Sequence, residues 1–191
     1  QQLFDEKVMG NPVEQMKYQP LGNLFLEFPD HTNAANYRRE LDLNTAIAGV
    51  TYRVGEVTFK REVFSSPVDQ VIVVRITADK PGAISLTAKL AGVTNTKTPG
   101  DESHTVETVS PNQLVLRGKT GSMHGIDGRV RYEACVRLIQ EGGKGLSTPD
   151  GLAVEGADAV TLLIAAATNF RRYDDLSADP SARVRAYLQQ V

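Results

Sequence analysis

The sequence predicts an all-β fold, two packed antiparallel sheets followed by a C-terminal helix. Three observations carry this. Apolar and polar residues alternate with period two in run after run, Gly-, Pro- and Asn-rich pairs punctuate the runs, and no helical crossover separates them. Successive side chains of a strand point to opposite faces, so each alternating run offers one face to a core and one to water. A parallel α/β sheet would need helices between its strands.

Taken in order, Leu24, Leu26 and Phe28 share one face of a short first run. Tyr37, Arg39, Leu41 and Leu43 form one face of the next, opposite Arg38, Glu40 and Asp42. Ala46, Ala48, Val50, Tyr52 and Val54 follow, and Gly55-Glu56 then reads as the two-residue type II′ turn of a hairpin. The return strand sets Val57, Phe59, Arg61 and Val63 on one face. Gln70–Ala78 is β-branched, Pro81-Gly82 turns the chain, and Ala83–Leu90 alternates again. Gln113–Lys119, Val130–Ile139, Leu152–Glu155 and Val160–Thr168 complete the strand set, with turns at Gly142-Gly143 and Pro149-Asp150-Gly151. Two polar stretches, Asn95–Val109 and Thr120–Gly128, read as long loops, a class often functional. Asp179-Pro180 supplies an N-cap and a first-turn proline. Val184, Tyr187, Leu188 and Val191 then keep helical spacing to the chain's last residue.

Composition narrows the function. At 191 residues the chain suits one domain with a sizeable core. The formal net charge is −2 with no basic block, so neither nucleic acid nor an anionic membrane is an expected partner, and no apolar run approaches the ~20 residues of a membrane span. Cys135 is the one cysteine and alternates within a strand, the pattern of a small apolar residue. Trp is absent, which weakens a stand-alone sugar-binding module, since such modules stack sugars on aromatic platforms; Tyr18, Tyr37 and Tyr173 keep that alternative open.

No serine elbow, phosphate loop or zinc spacing is present, and neither a cofactor nor a metal is called for. His31, His104 and His124 are dispersed, and His104 follows Asp101-Glu102-Ser103 in a polar stretch. A glycosidase needs two carboxyl groups flanking the scissile bond, and the sequence selects no such pair among 23 acidic residues. If Arg39 faces inward with Leu41, it requires a carboxylate, because an unpaired buried charge is costly; Glu62 and Asp69 are the candidates.

Several motifs are familiar in combination. Tyr18-Gln19-Pro20-Leu21-Gly22-Asn23-Leu24, Tyr37-Arg38-Arg39-Glu40-Leu41-Asp42-Leu43, Arg61-Glu62-Val63-Phe64-Ser65-Ser66 with Asp69-Gln70-Val71, and Val160–Phe170 arrive in one order. Together they resemble the N-terminal domain of glycoside hydrolase family 95. The resemblance implies a galactose-mutarotase-like β-super-sandwich, joined through helices to an (α/α)6 barrel. It implies an α-L-fucosidase that inverts terminal fucosides, with relatives acting on α-L-galactosides. The catalytic groups belong to the barrel, so no catalytic residue falls on this chain.

The expected organisation is a lead-in over 1–17, a sandwich over 18–170, and a linker with the start of an inter-domain helix over 171–191. The expected role is a scaffold for the barrel in a secreted or periplasmic enzyme acting on a fucosylated glycan. The loops Asp30–Asn36, Asn95–Val109 and Thr120–Gly128 would border the active site, with His31, Tyr37, His104 and His124 as rim candidates. The family's opening segment is lacking, which points to an exposed sheet edge and a possible homo-oligomer. The C-terminal helix would have its apolar face open, its partner lying in the absent barrel.

Overall fold

The computed structural model describes residues 2–10, 18–93, 103–149 and 151–191. Two antiparallel sheets face each other. The smaller orders β1 (Asn23–Glu27), β6 (Ile84–Ala91), β11 (Gly151–Ala157) and β10 (Lys144–Thr148). The larger orders β2 (Ala35–Asp42), β3 (Ile47–Val54), β4 (Val57–Ser66), β5 (Val71–Ala78), β12 (Ala159–Thr168), β9 (Arg131–Glu141), β8 (Gln113–Lys119) and β7 (Ser103–Ser110). A short helix α1 (Gln2–Lys7) precedes them and helix α2 (Pro180–Gln189) follows. The all-β sandwich with a C-terminal helix is therefore the fold.

The main core lies between the sheets. Ile76, Ile84, Leu86, Leu114, Val136, Leu152, Val154, Val160 and Leu162 are buried there. Most are the alternate residues read from the sequence. At Gly55-Glu56 the turn joins Val54 to Val57 with φ +57° at Gly55, a positive value confined to the first turn residue as type II′ requires.

A second core sits on the outer face of the large sheet. There Val184 and Leu188 of α2 pack on Val71, Val115, Cys135, Leu163, Ala165 and Ala167. This corrects the expectation that the helix's apolar face stays open. Strands β5, β12 and β9 carry apolar residues on both faces, so the sheet itself is the partner. Tyr187 packs at the margin, whereas Val191 lies past the helix end and is exposed.

Three other expectations change. Strand β2 was expected to bury one face, but all eight of its residues are exposed. It is the last strand of an eight-stranded sheet lying against a four-stranded one, so its inner face is not covered by the smaller sheet. Ala46 sits in the β2–β3 turn with φ +56° rather than in a strand. Within the expected loop Asn95–Val109, Ser103–Ser110 forms β7, held in register by β8, while 94–102 lies outside the described residues. Its alternating Thr, Val and Glu side chains make a polar edge strand that resembles a loop in composition. Strand β10, likewise polar and on an edge, has no counterpart in the sequence reading.

Candidate functional site

Where the large sheet extends beyond the small one, its inner face carries two arginines. Directly paired residues of an antiparallel sheet share a face. The register runs Arg39–Val50–Arg61–Ile76, and Ile76 is core, so both guanidinium groups project on the inner side. They stand two strands apart, roughly 10 Å at the usual strand spacing. Arg61 lies with its Cζ 5.0 Å from the centroid of the Phe28 ring, and its Nε is buried without a hydrogen-bond partner. Behind it, Tyr52 and Phe59 stack with centroids 5.5 Å apart, and His31 fills the space between them and Phe28.

The His31 Nδ1 and Tyr52 hydroxyl are 2.9 Å apart. Burial holds the His31 pKa below its ordinary value; the Arg61 charge adds to this and Asp30 opposes it. Burial raises the Tyr52 phenol, against the pull of Arg61. The cluster is thus a neutral aromatic platform presenting one cation, with its imidazole held internally.

A second candidate lies beneath the N-terminus of α2, a cleft of ≈ 480 Å³ lined by Arg117, Arg131, Glu133, Ser177, Asp179 and Ser181 among others. Glu133 is 5 % exposed. Its Oε2 accepts from Arg117 Nε at 2.7 Å and from the Ser181 hydroxyl. Arg117 also pairs with Glu107. Asp179 caps the helix by accepting from the amides of Ser181 and Ala182. Both carboxylates therefore hold structure in place. Asn169, 2 % exposed, ties the preceding loop down: its Oδ1 accepts from Arg131 N, and its Nδ2 donates to the carbonyls of Arg129 and Leu176.

The four rim candidates fall toward opposite ends of the large sheet. His31 lies in the 3-10 turn before β2, and Tyr37 lies in β2, 61 % exposed. His104 is on β7, its ring filling the space a Cβ at Gly92 would take. His124 is exposed in the 120–128 loop with φ +53°. From β2 to β7 is seven inter-strand spacings, roughly 34 Å along the sheet. The four do not converge.

The expected internal ion pair of Arg39 is not found. Arg39 is exposed, the recorded partner of Glu62 is Lys60 at 2.8 Å, and Asp69 accepts from Ser66 Oγ at 2.6 Å. The arginine that does face the core is Arg61. Its place beside Phe59 and Val63 in the alternation was the available signal. Which strand is central and which is an edge decides between the two, and alternation does not encode that.

Comparison with known proteins places the chain. The model of the glycosyl hydrolase family 65 N-terminal domain matches residues 1–173. Alpha-L-fucosidase 2 of Arabidopsis thaliana is 34 % identical over 187 residues, covering 86 % of this chain and 21 % of that protein. Probable alpha-fucosidase A of Aspergillus niger is 28 % identical over 157 residues, covering 80 % and 18 %. A solved structure described as a putative kojibiose phosphorylase from human microbiome aligns with TM-score 0.47 and 11 % identity over 90 % of this chain and 25 % of that one. The chain thus spans about a fifth of the length of the curated relatives it matches. The sequence resemblance pointed to the N-terminal domain of family 95, whereas the matching model is that described for family 65, and the curated relatives are named as fucosidases. The chain belongs to the N-terminal sandwich domains of glycoside hydrolases, in the family described as the glycosyl hydrolase family 65 N-terminal domain.

Proposed function

We propose that this chain is the non-catalytic N-terminal domain of an α-L-fucosidase of the family 95 type, and that an (α/α)6 barrel outside it hydrolyses terminal α-L-fucosides with inversion. The observation that carries the reading is the 34 % identity, over 187 residues, to an α-L-fucosidase of which the chain matches only 21 %. The site chemistry agrees with it. Inverting hydrolysis needs a protonated acid on one side of the sugar and a base with room for water on the other, the two carboxyl groups about 6.5–9.5 Å apart. In the cleft beneath α2, Glu133 is engaged by Arg117 and Ser181, and Asp179 by helix amides, so neither faces a substrate free-handed.

In this proposal residues 18–170 form the scaffold, 1–17 lead into it, and 171–191 begin the passage to the barrel. The rim role belongs to one end of the large sheet, His31 and Tyr37 or His104 and His124. The enzyme is secreted or periplasmic, a placement that rests on the resemblance alone.

The test is turnover of a 1,2-fucosylated oligosaccharide, with an α-L-galactoside alongside, by the intact polypeptide and by residues 1–191 alone. The anomer released first is read by NMR. Release of inverted fucose by the intact polypeptide, and none by the isolated chain, is expected. Turnover by the isolated chain, or a preference for the galactoside, would remove the corresponding part of the proposal.

A further inference from the structure

The cleft beneath α2 contains a carboxylate oxygen that the fold leaves unused. Glu133 is 5 % exposed, and its Oε2 is committed to Arg117 and Ser181. Its Oε1 has no hydrogen-bond partner among the described residues and yet is not sealed from solvent, so it opens onto the cleft that Glu133 lines. An ionised carboxylate only accepts, through about four lone-pair sites, and a buried one is costly when they stay unmatched. Because Arg117 and Ser181 hold the other oxygen, this acceptor is fixed in place before anything binds, which lowers the ordering cost of binding. Donors stand beside it. Arg131 lies two residues earlier on the same face of β9, about 7 Å away along the strand at ~3.4 Å per residue. Its side chain is exposed and makes no hydrogen bond or ion pair among the described residues.

Charge decides what such a cleft can take. Among the described residues its lining carries Arg117 and Arg131 against Glu133 and Asp179, which balance. An anion entering it meets the Glu133 oxygen and a cation meets Arg131, each a like-charge contact. A neutral group that both donates and accepts meets neither penalty, and a hydroxyl does both. Neighbouring hydroxyls of a sugar ring can donate to Glu133 Oε1 and accept from Arg131, with Ala178 and Pro180 offering apolar wall to the ring's C–H face. The ≈ 480 Å³ volume lies within the ~300–1,000 Å³ of small-molecule sites. We propose that this cleft binds a neutral sugar ring between Glu133 Oε1 and the Arg131 guanidinium. It binds without cleaving, since its second carboxylate, Asp179, is committed to the helix amides. The inference goes beyond the proposed function, because it sets a sugar against the sandwich itself.

Hydrogen exchange on the intact polypeptide, titrated with L-fucose or D-galactose, tests this. Peptides covering 129–134 and 176–182 report on the cleft, whatever binds elsewhere in the protein. At about ten times the dissociation constant their exchange is expected to slow about tenfold. Arg131→Met keeps the aliphatic stem without the donors and should abolish the protection. Arg129→Met, at an exposed arginine that does not line the cleft, should retain it. Unchanged exchange in these peptides with both sugars, or equal protection in the Arg131 variant, would overturn the proposal. So would protection by sodium acetate or by ethylamine in place of the sugars, which would make the ligand a charged one. Fucosidase turnover is measured on the same samples. Sugar protection at the cleft without turnover upholds the site and removes the fucosidase reading, and turnover without that protection does the reverse.

Discussion

Helix α2 is held at both ends by one strand, and that arrangement yields a quantitative expectation. Glu133 and Arg137 lie on the same face of β9, four residues apart, about 14 Å at ~3.4 Å per residue. Glu133 accepts from Ser181 in the first turn of α2, and Arg137 Nη1 donates to the carbonyl of Leu188 in the last at 2.7 Å. The strand therefore sets a negative charge at the helix N-terminus and a positive one at the C-terminus, the signs that the macrodipole favours.

Hydrogen bonds to charged groups contribute about 1.5–3 kcal/mol, and Glu133 is buried, so its bond to Ser181 takes most of that range. The Arg117 contribution is discounted, because its side chain is 43 % exposed and keeps Glu107. Glu133→Gln is then expected to loosen α2 by about 2 kcal/mol, and Arg137→Gln by about 1–2 kcal/mol. Hydrogen exchange on the α2 amides is the direct assay. At 1.4 kcal/mol per decade, the Glu133 variant should exchange roughly 30-fold faster in α2, with little change in β4 and β5 if the helix opens locally. Unchanged α2 protection in both variants would refute the clamp, and equal loosening of the whole sheet would refute its local character.

The remaining expectations concern burial. His31 is held below its ordinary pKa, first by desolvation, so the folded state binds fewer protons than the unfolded one. Its contribution to stability is complete above about pH 6.5 and declines as pH falls below that value, and His31→Gln should flatten this part of the curve in urea melts across pH 5–8. Burial, with Glu133 adding to it, raises the Cys135 thiol to about 11, so native protein should resist alkylation near pH 8 and react on unfolding; rapid native labelling would contradict the packing beneath α2. Asn169→Ala removes three side-chain hydrogen bonds at a buried position and should cost about 2–3 kcal/mol in denaturant unfolding, with the 170–178 loop more open to protease.

The sequence by itself determined every strand except the polar edge strands β7 and β10, together with the Gly55-Glu56 turn, the capped helix at Asp179-Pro180 and the class of protein. These are recorded locally, in alternation of period two, in residues that tolerate positive φ, and in motifs that keep their order. Only the tertiary structure decided which strands are central and which are edges. For that reason Arg39 looked inward but is exposed, while Arg61, in the same kind of pattern, carries the orphaned donor. It also decided that α2 closes on the outer sheet face, and that His31 and His104 stand toward opposite ends of the large sheet. The physical reason is that alternation assigns a side chain to one of two faces. Whether anything covers that face depends on how far the facing layer extends, which is a relation between segments distant in the chain.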